Sequence, residues 1–162
     1  MKSKSKAGGS REAREDRAPK NKPSARVREV FPVVGIGASA GGLEALEQFL
    51  ARVPAASGMA FVIVQHLDPT HKGIMPELLQ RATTMKVFQV KDRTRVQPGC
   101  VYVIPPNKDM SILHGVLHLL PPAAPRGLRL PIDFFLRSLA QDLQDRSIGV
   151  ILSGMGLSLI HI

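Results

Sequence analysis

Apolar and polar positions alternate along this chain in blocks whose periods change from strand-like to helix-like and back. Residues 31–36 form a short apolar run, which predicts a buried strand. A glycine-rich turn follows. Over 43–53 the spacing becomes helical, with Leu43, Leu46, Phe49, Leu50 and Val53 on one face. The stretch 54–58, which opens with Pro54 and closes with Gly58, breaks that helix. Ala60-Phe61-Val62-Ile63-Val64 predicts a second buried strand, ending at Gln65-His66. A second helix is expected over 74–81, with Pro76 tolerable in its first turn. Strand, helix, strand, helix is the pattern of a parallel sheet covered on both faces.

The later chain reads differently. Strands are expected over 87–90 and 100–104. Residues 111–119 read as a hairpin turning near His114-Gly115. A proline-rich loop spans 121–127. Residues 132–145 form a third helix, with Asp133 in its first turn. Residues 147–152 make a last buried strand, running into Ser153-Gly154-Met155-Gly156. No internal repeat is visible.

Composition narrows the picture. The 162 residues suffice for one domain with a core, and 44% hydrophobic content suits a globular chain. No apolar run approaches the roughly 18 residues of a membrane span, so membrane insertion is not expected. The N-terminus has charge but no apolar run behind it, unlike a secretory leader. One cysteine, Cys100, allows no internal disulfide and suits a cytoplasmic location. No Cys/His cluster has zinc-ligand spacing, and neither metal nor cofactor is expected.

The net charge of +9 is unevenly distributed. Residues 1–29 hold ten Lys and Arg against four Asp and Glu, an excess of six; residues 30–162 carry an excess of three. The first segment has almost no large apolar residues and is expected to be a disordered basic tail. With one Tyr and no Trp, the chain offers few rings on which bases could stack. Nucleic acid is therefore not an expected partner.

The candidate chemistry lies in Gly37-Ala38-Ser39-Ala40-Gly41, a Gly-x-Ser-x-Gly pattern between a strand and a helix. A sharp turn there presents Ser39 as a nucleophile, and the helix amides of Ala40 and Gly41 are candidates to stabilise an oxyanion. The same stretch admits a second reading. Gly35-Ile36-Gly37 followed by Gly41 is one residue too long for a dinucleotide fingerprint, yet it could cradle a phosphate or nucleotide. A purely structural turn is the third reading. A serine nucleophile needs a base. His66 follows the second strand, on the carboxyl edge that Ser39 also occupies, and loops from that edge converge in α/β folds. His71 is a weaker rival, further from the strand end, and His114 and His118 lie in the expected hairpin and read as surface residues.

Taken together, these residues resemble the catalytic domain of the chemotaxis protein-glutamate methylesterases, the CheB type. The matching stretches are Gly35-Ile36-Gly37-Ala38-Ser39-Ala40-Gly41-Gly42, Val64-Gln65-His66, Arg95-Val96-Gln97-Pro98-Gly99, Tyr102-Val103-Ile104-Pro105-Pro106, Pro131-Ile132-Asp133 and Val150-Ile151-Leu152-Ser153-Gly154-Met155-Gly156. The resemblance implies a doubly wound, mostly parallel, Rossmann-like α/β sheet over residues 30–156. It implies Ser39 as nucleophile, His66 as base and Met155 in the active-site loop. The implied substrate is a glutamyl methyl ester on a methyl-accepting chemoreceptor, with receptor glutamine deamidation as a second activity. It also admits a methyltransferase domain fused to or associated with the full gene product.

The family's third triad member, an Asp, would fall where this chain has Ser158. Residues 157–162, Leu-Ser-Leu-Ile-His-Ile, resemble the conceptual translation of a sequencing-library adapter. The expectation is a catalytic domain cut after Gly156, incomplete at its C-terminus, with a non-native end, an exposed last strand and impaired activity.

Overall fold

The computed structural model describes residues 30–39, 41–65, 73–122, 124–125 and 130–153. The tail 1–29 and the end 157–162 lie outside them. Five strands form a parallel sheet: β1 (Val33–Ala38), β2 (Ala60–Gln65), β3 (Lys86–Gln89), β5 (Cys100–Val103) and β8 (Ser147–Ser153), in the spatial order β3-β5-β2-β1-β8. A smaller antiparallel sheet joins β4 (Thr94–Arg95), β6 (Asp109–Leu113) and β7 (Val116–Leu120), in the order β4-β7-β6. The helices are α1 (Leu43–Arg52), α2 (Met75–Ala82) and α3 (Pro131–Leu143), the last continuing as a short 3-10 turn, Gln144–Arg146.

The alternation of strand side chains divides the core into two layers. Val34, Ile36, Phe61, Ile63, Val101 and Val103 face α1 and α2, where they meet Leu46, Leu50 and Leu79. The ring of Phe49 meets Phe61 edge-on, centroids 6.2 Å apart. On the opposite face, Val33, Val62, Val64 and Tyr102 meet Phe135 and Leu139 of α3 and Met110, Ile112 and Leu117 of the small sheet. Both faces of the parallel sheet are thus covered, as the near-continuous apolar runs of β1 and β2 require.

Local chemistry explains the element ends. The chain leaves α1 at Val53, in extended conformation, immediately before Pro54. Pro131 opens α3, its fixed φ matching the first helical turn. Asp133 follows in that turn, where the positive end of the helix dipole favours a carboxylate. Asp133 is buried, and its Oδ1 has no hydrogen-bond partner among the described residues.

His114 and Gly115 turn the β6–β7 hairpin with φ of 51° and 71°, the paired positive angles of a type I′ turn. The Asp142 carboxylate of α3 accepts the amides of both residues, at 2.6 and 3.0 Å. It thereby ties the small sheet to α3.

Most boundaries differ by a residue or two from the sequence expectation, and three departures have a physical reason. First, β1 runs two residues further, to Ala38, because Gly37 and Ala38 still pair with Val64 and Gln65 of β2. Second, β4 has only two residues, too few to show a period, and exists through its pairing with Thr94↔Leu117 and Arg95↔Val116. Third, β8 extends to Ser153. The outer edge of β8 carries no strand among the described residues, and Ile148 and Ile151 remain exposed there.

Candidate active site

Strand order locates the place where a ligand would bind. From β1 the chain proceeds through α1 to β2 on one side, while β8, reached through α3 on the opposite face, lies on the other. The order therefore reverses between β1 and β8, and in open α/β sheets ligands occupy the crevice outside the carboxyl ends at such a point. Ser39 is the first residue beyond β1.

The glycines of β1 have a packing role. A methyl group at Gly35 would lie 2.7 Å from Leu136 Cδ2, 2.8 Å from Leu139 Cδ2 and 3.1 Å from Phe135 Cε1. One at Gly37 would lie 2.6 Å from both Ile132 Cγ2 and Ile151 Cδ1. These positions are glycine because α3 presses on the strand. Gly41, by contrast, has nothing within 4 Å of the same point. Of the three glycines that suggest a phosphate cradle, two are explained by helix packing on the core side of the sheet.

Ser39 itself is half-buried. Its carbonyl accepts two hydrogen bonds, from the Gly42 amide at 2.9 Å and from Gln65 Nε2 at 2.8 Å. Gly42 then caps α1 without a side chain that could occupy the first-turn amides. Gly41 lies exposed at the entrance to this turn.

The β1–β8 pairing changes register at the same level. Gly37 pairs with Ile151 but Ala38 with Ser153, so Leu152 is an extra residue on β8. Such bulges re-aim a chain as it leaves a sheet. This one lies level with the end of β1, one residue before Ser39.

Of the sequence-predicted site residues, Ser39 and Gly41 are thus brought to one turn at the switch point. Ala40, His66, Met155 and Ser158 lie outside the described residues. Gln65 was not singled out for a role by the sequence, although a lone amide ending an apolar strand is a usable signal. Among the described residues, no group of three or more His, Cys, Asp or Glu is placed to hold a metal ion. No helix among them is long and apolar enough to cross a membrane.

Residues 34–157 match the family model described as CheB methylesterase. The chain is 32% identical over 130 residues to a protein-glutamate methylesterase/protein-glutamine glutaminase of Maricaulis maris, a match covering 76% of this chain and 32% of that protein. It is 35% identical over 126 residues to a second such protein of Burkholderia orbicola, covering 77% of this chain and 38% of the relative. To the protein-glutamate methylesterase FrzG of Myxococcus xanthus it is 32% identical over 127 residues, covering 78% and 38%. The crystal structure of the Thermotoga maritima CheB methylesterase catalytic domain superposes with a TM-score of 0.68 at 27% identity, covering 78% of this chain and 69% of that one. The chain spans less than two fifths of the length of each of these three curated relatives.

Proposed function

We propose, for a chain that belongs to the CheB methylesterase family, that Ser39 is the nucleophile of a serine-type protein-glutamate methylesterase. The observation that carries this reading is the position of Ser39: first residue past β1, at the reversal of strand order, its carbonyl anchored by the residue that precedes His66. Ser39 Oγ adds to the carbonyl carbon of a glutamyl methyl ester while His66 takes the hydroxyl proton. The amides at the start of α1, those of Ala40 and Gly41 among them, receive the developing oxyanion. The tetrahedral intermediate expels methoxide, which leaves as methanol with the proton from His66. Water then attacks the acyl-enzyme, His66 accepts its proton and returns it to Ser39, and the glutamate is released. Met155 follows β8 in the sequence, in the stretch that resembles the family's active-site loop.

The substrate is a methylated chemoreceptor, and the fuller names of two of the relatives support receptor glutamine deamidation at the same serine. The setting is cytoplasmic chemotaxis-like signalling, with a methyltransferase domain fused to or associated with the full gene product. Ser158 occupies the position at which an orienting acid is expected, so this chain hydrolyses slowly. The phosphate-cradle reading loses its support at Gly35 and Gly37, whose absent side chains make room for α3. Methanol release from a methylated receptor fragment tests the proposal. Release that Ser39→Ala abolishes is the expected result; release undiminished in Ser39→Ala would overturn it.

A further inference from the structure

We infer that Gln65 is a positioning residue for the nucleophile, holding the Ser39 turn to the end of β2. The inference rests on the reading of Ser39 as the nucleophile.

Gln65 is the last residue of β2 and pairs in register with Ala38. By strand alternation it shares a face with Phe61 and Ile63, in the apolar layer against α1 and α2. It is 4% exposed. A primary amide in such a layer is a poor choice for stability alone, because burying it costs about 1–3 kcal/mol unless it is hydrogen-bonded. A methionine of similar length would fill the same space without that cost.

The amide donates to the Ser39 carbonyl, at 2.8 Å and 26 residues away in sequence. The Gly42 amide donates to the same oxygen at 2.9 Å. Two donors occupy both lone pairs of this carbonyl. The Gly42 bond closes the turn on itself; the Gln65 bond runs from the turn to the end of β2. Without it, the turn is held at this oxygen by its Gly42 bond, opens more readily and sits less firmly against the strand that leads into His66.

A displacement of about 1 Å at a reacting group can cost about a hundredfold in rate. Gln65 thus acts on the reaction through the backbone of Ser39, fixing where the nucleophile sits relative to the chain segment bearing the base. The expected signature is a slower covalent step with unchanged capture of the reagent.

The test compares the full chain with its Gln65→Met and Gln65→Glu variants, using a fluorophosphonate ester and following the adduct on Ser39. In Gln65→Met, the limiting rate of labelling falls about ten- to a hundredfold, the half-saturating probe concentration stays within about twofold of the parent, and the denaturation midpoint is maintained or raised. Gln65→Glu, whose carboxylate faces the Ser39 carbonyl without a proton to donate at neutral pH, is slowed as well. Labelling of Gln65→Met at the parental rate would overturn the inference. Hydrogen exchange at the Gly42 amide supplies a reading independent of catalysis: faster exchange in Gln65→Met supports the anchor, and unchanged exchange contradicts it. If the parent chain is not labelled at all, the esterase reading has failed, and the exchange measurement alone decides the anchor.

Discussion

Replacing Gly35 by alanine isolates the contact on which the site's scaffold depends. The added methyl would sit 2.7 Å from Leu136 Cδ2, 2.8 Å from Leu139 Cδ2 and 3.1 Å from Phe135 Cε1. Leu139 is 1% exposed and Phe135 0%, so neither can swing into solvent, and relief must come from Leu136 or a shift of α3. Overpacking of this kind costs about 1–3 kcal/mol. The lower chain entropy of alanine in the unfolded state returns about 0.4–1 kcal/mol. The net expectation is a loss of about 1–2 kcal/mol, or about 3–6 °C in Tm for a chain of this size. Gly41→Ala is the control. Its methyl meets nothing within 4 Å, and its effect should stay within about 0.5 kcal/mol. Urea titrations at matched slopes compare the variants directly. Equal midpoints for Gly35→Ala and the parent, or an equal fall for Gly41→Ala, would refute the seating of α3 on β1. They would also reopen the phosphate-cradle reading of these glycines.

Two further measurements test the fold away from the Ser39 turn. Tyr102 is the chain's single tyrosine, so its ionisation can be followed in isolation by ultraviolet absorbance. Burial pushes its phenol up to about 12, against the opposing effect of the Gln97 amide that donates to its oxygen at 2.9 Å, while nearby Cys100 adds to the rise. Because the folded value lies above the unfolded value of about 10, the neutral phenol's contribution to stability is complete below about pH 10 and is lost as pH rises toward about 12; a native chain whose tyrosinate titrates near 10 would contradict the burial. Asp142→Ala removes the acceptor of the His114 and Gly115 amides and is expected to cost about 1 kcal/mol, with faster hydrogen exchange confined to the hairpin tip. Exchange that does not change there would show that the tip is held by its turn alone.

Much of the architecture was legible because burial on two faces leaves long apolar runs. Val33-Val34, Phe61-Val62-Ile63-Val64 and Val101-Tyr102-Val103 could only be core strands once helical periods were found between the first two. The His114-Gly115 turn was legible because hairpins need residues that tolerate positive φ. What escaped depended on partners distant in sequence. Gly35 lay inside the expected strand, but Gly37 looked like the start of the turn, and so β1 was ended too early. Their lack of side chains answers Leu136, Leu139 and Ile132, about a hundred residues later in the chain. Thr94-Arg95 is a strand only because β7 lies beside it. The turn that carries Ser39 and Gly41 was legible from local spacing, and it sits where the strand order reverses. The anchoring by Gln65 was not, since nothing local says which of many carbonyls a buried amide will meet.

The most direct test of the central claim is covalent labelling by a serine-directed fluorophosphonate, with the adduct mapped by mass spectrometry on the full-length gene product. The account predicts one modified site at Ser39, lost in Ser39→Ala and strongly reduced in His66→Ala. An unlabelled Ser39, or labelling of Ser39 that proceeds equally well without His66, would contradict it.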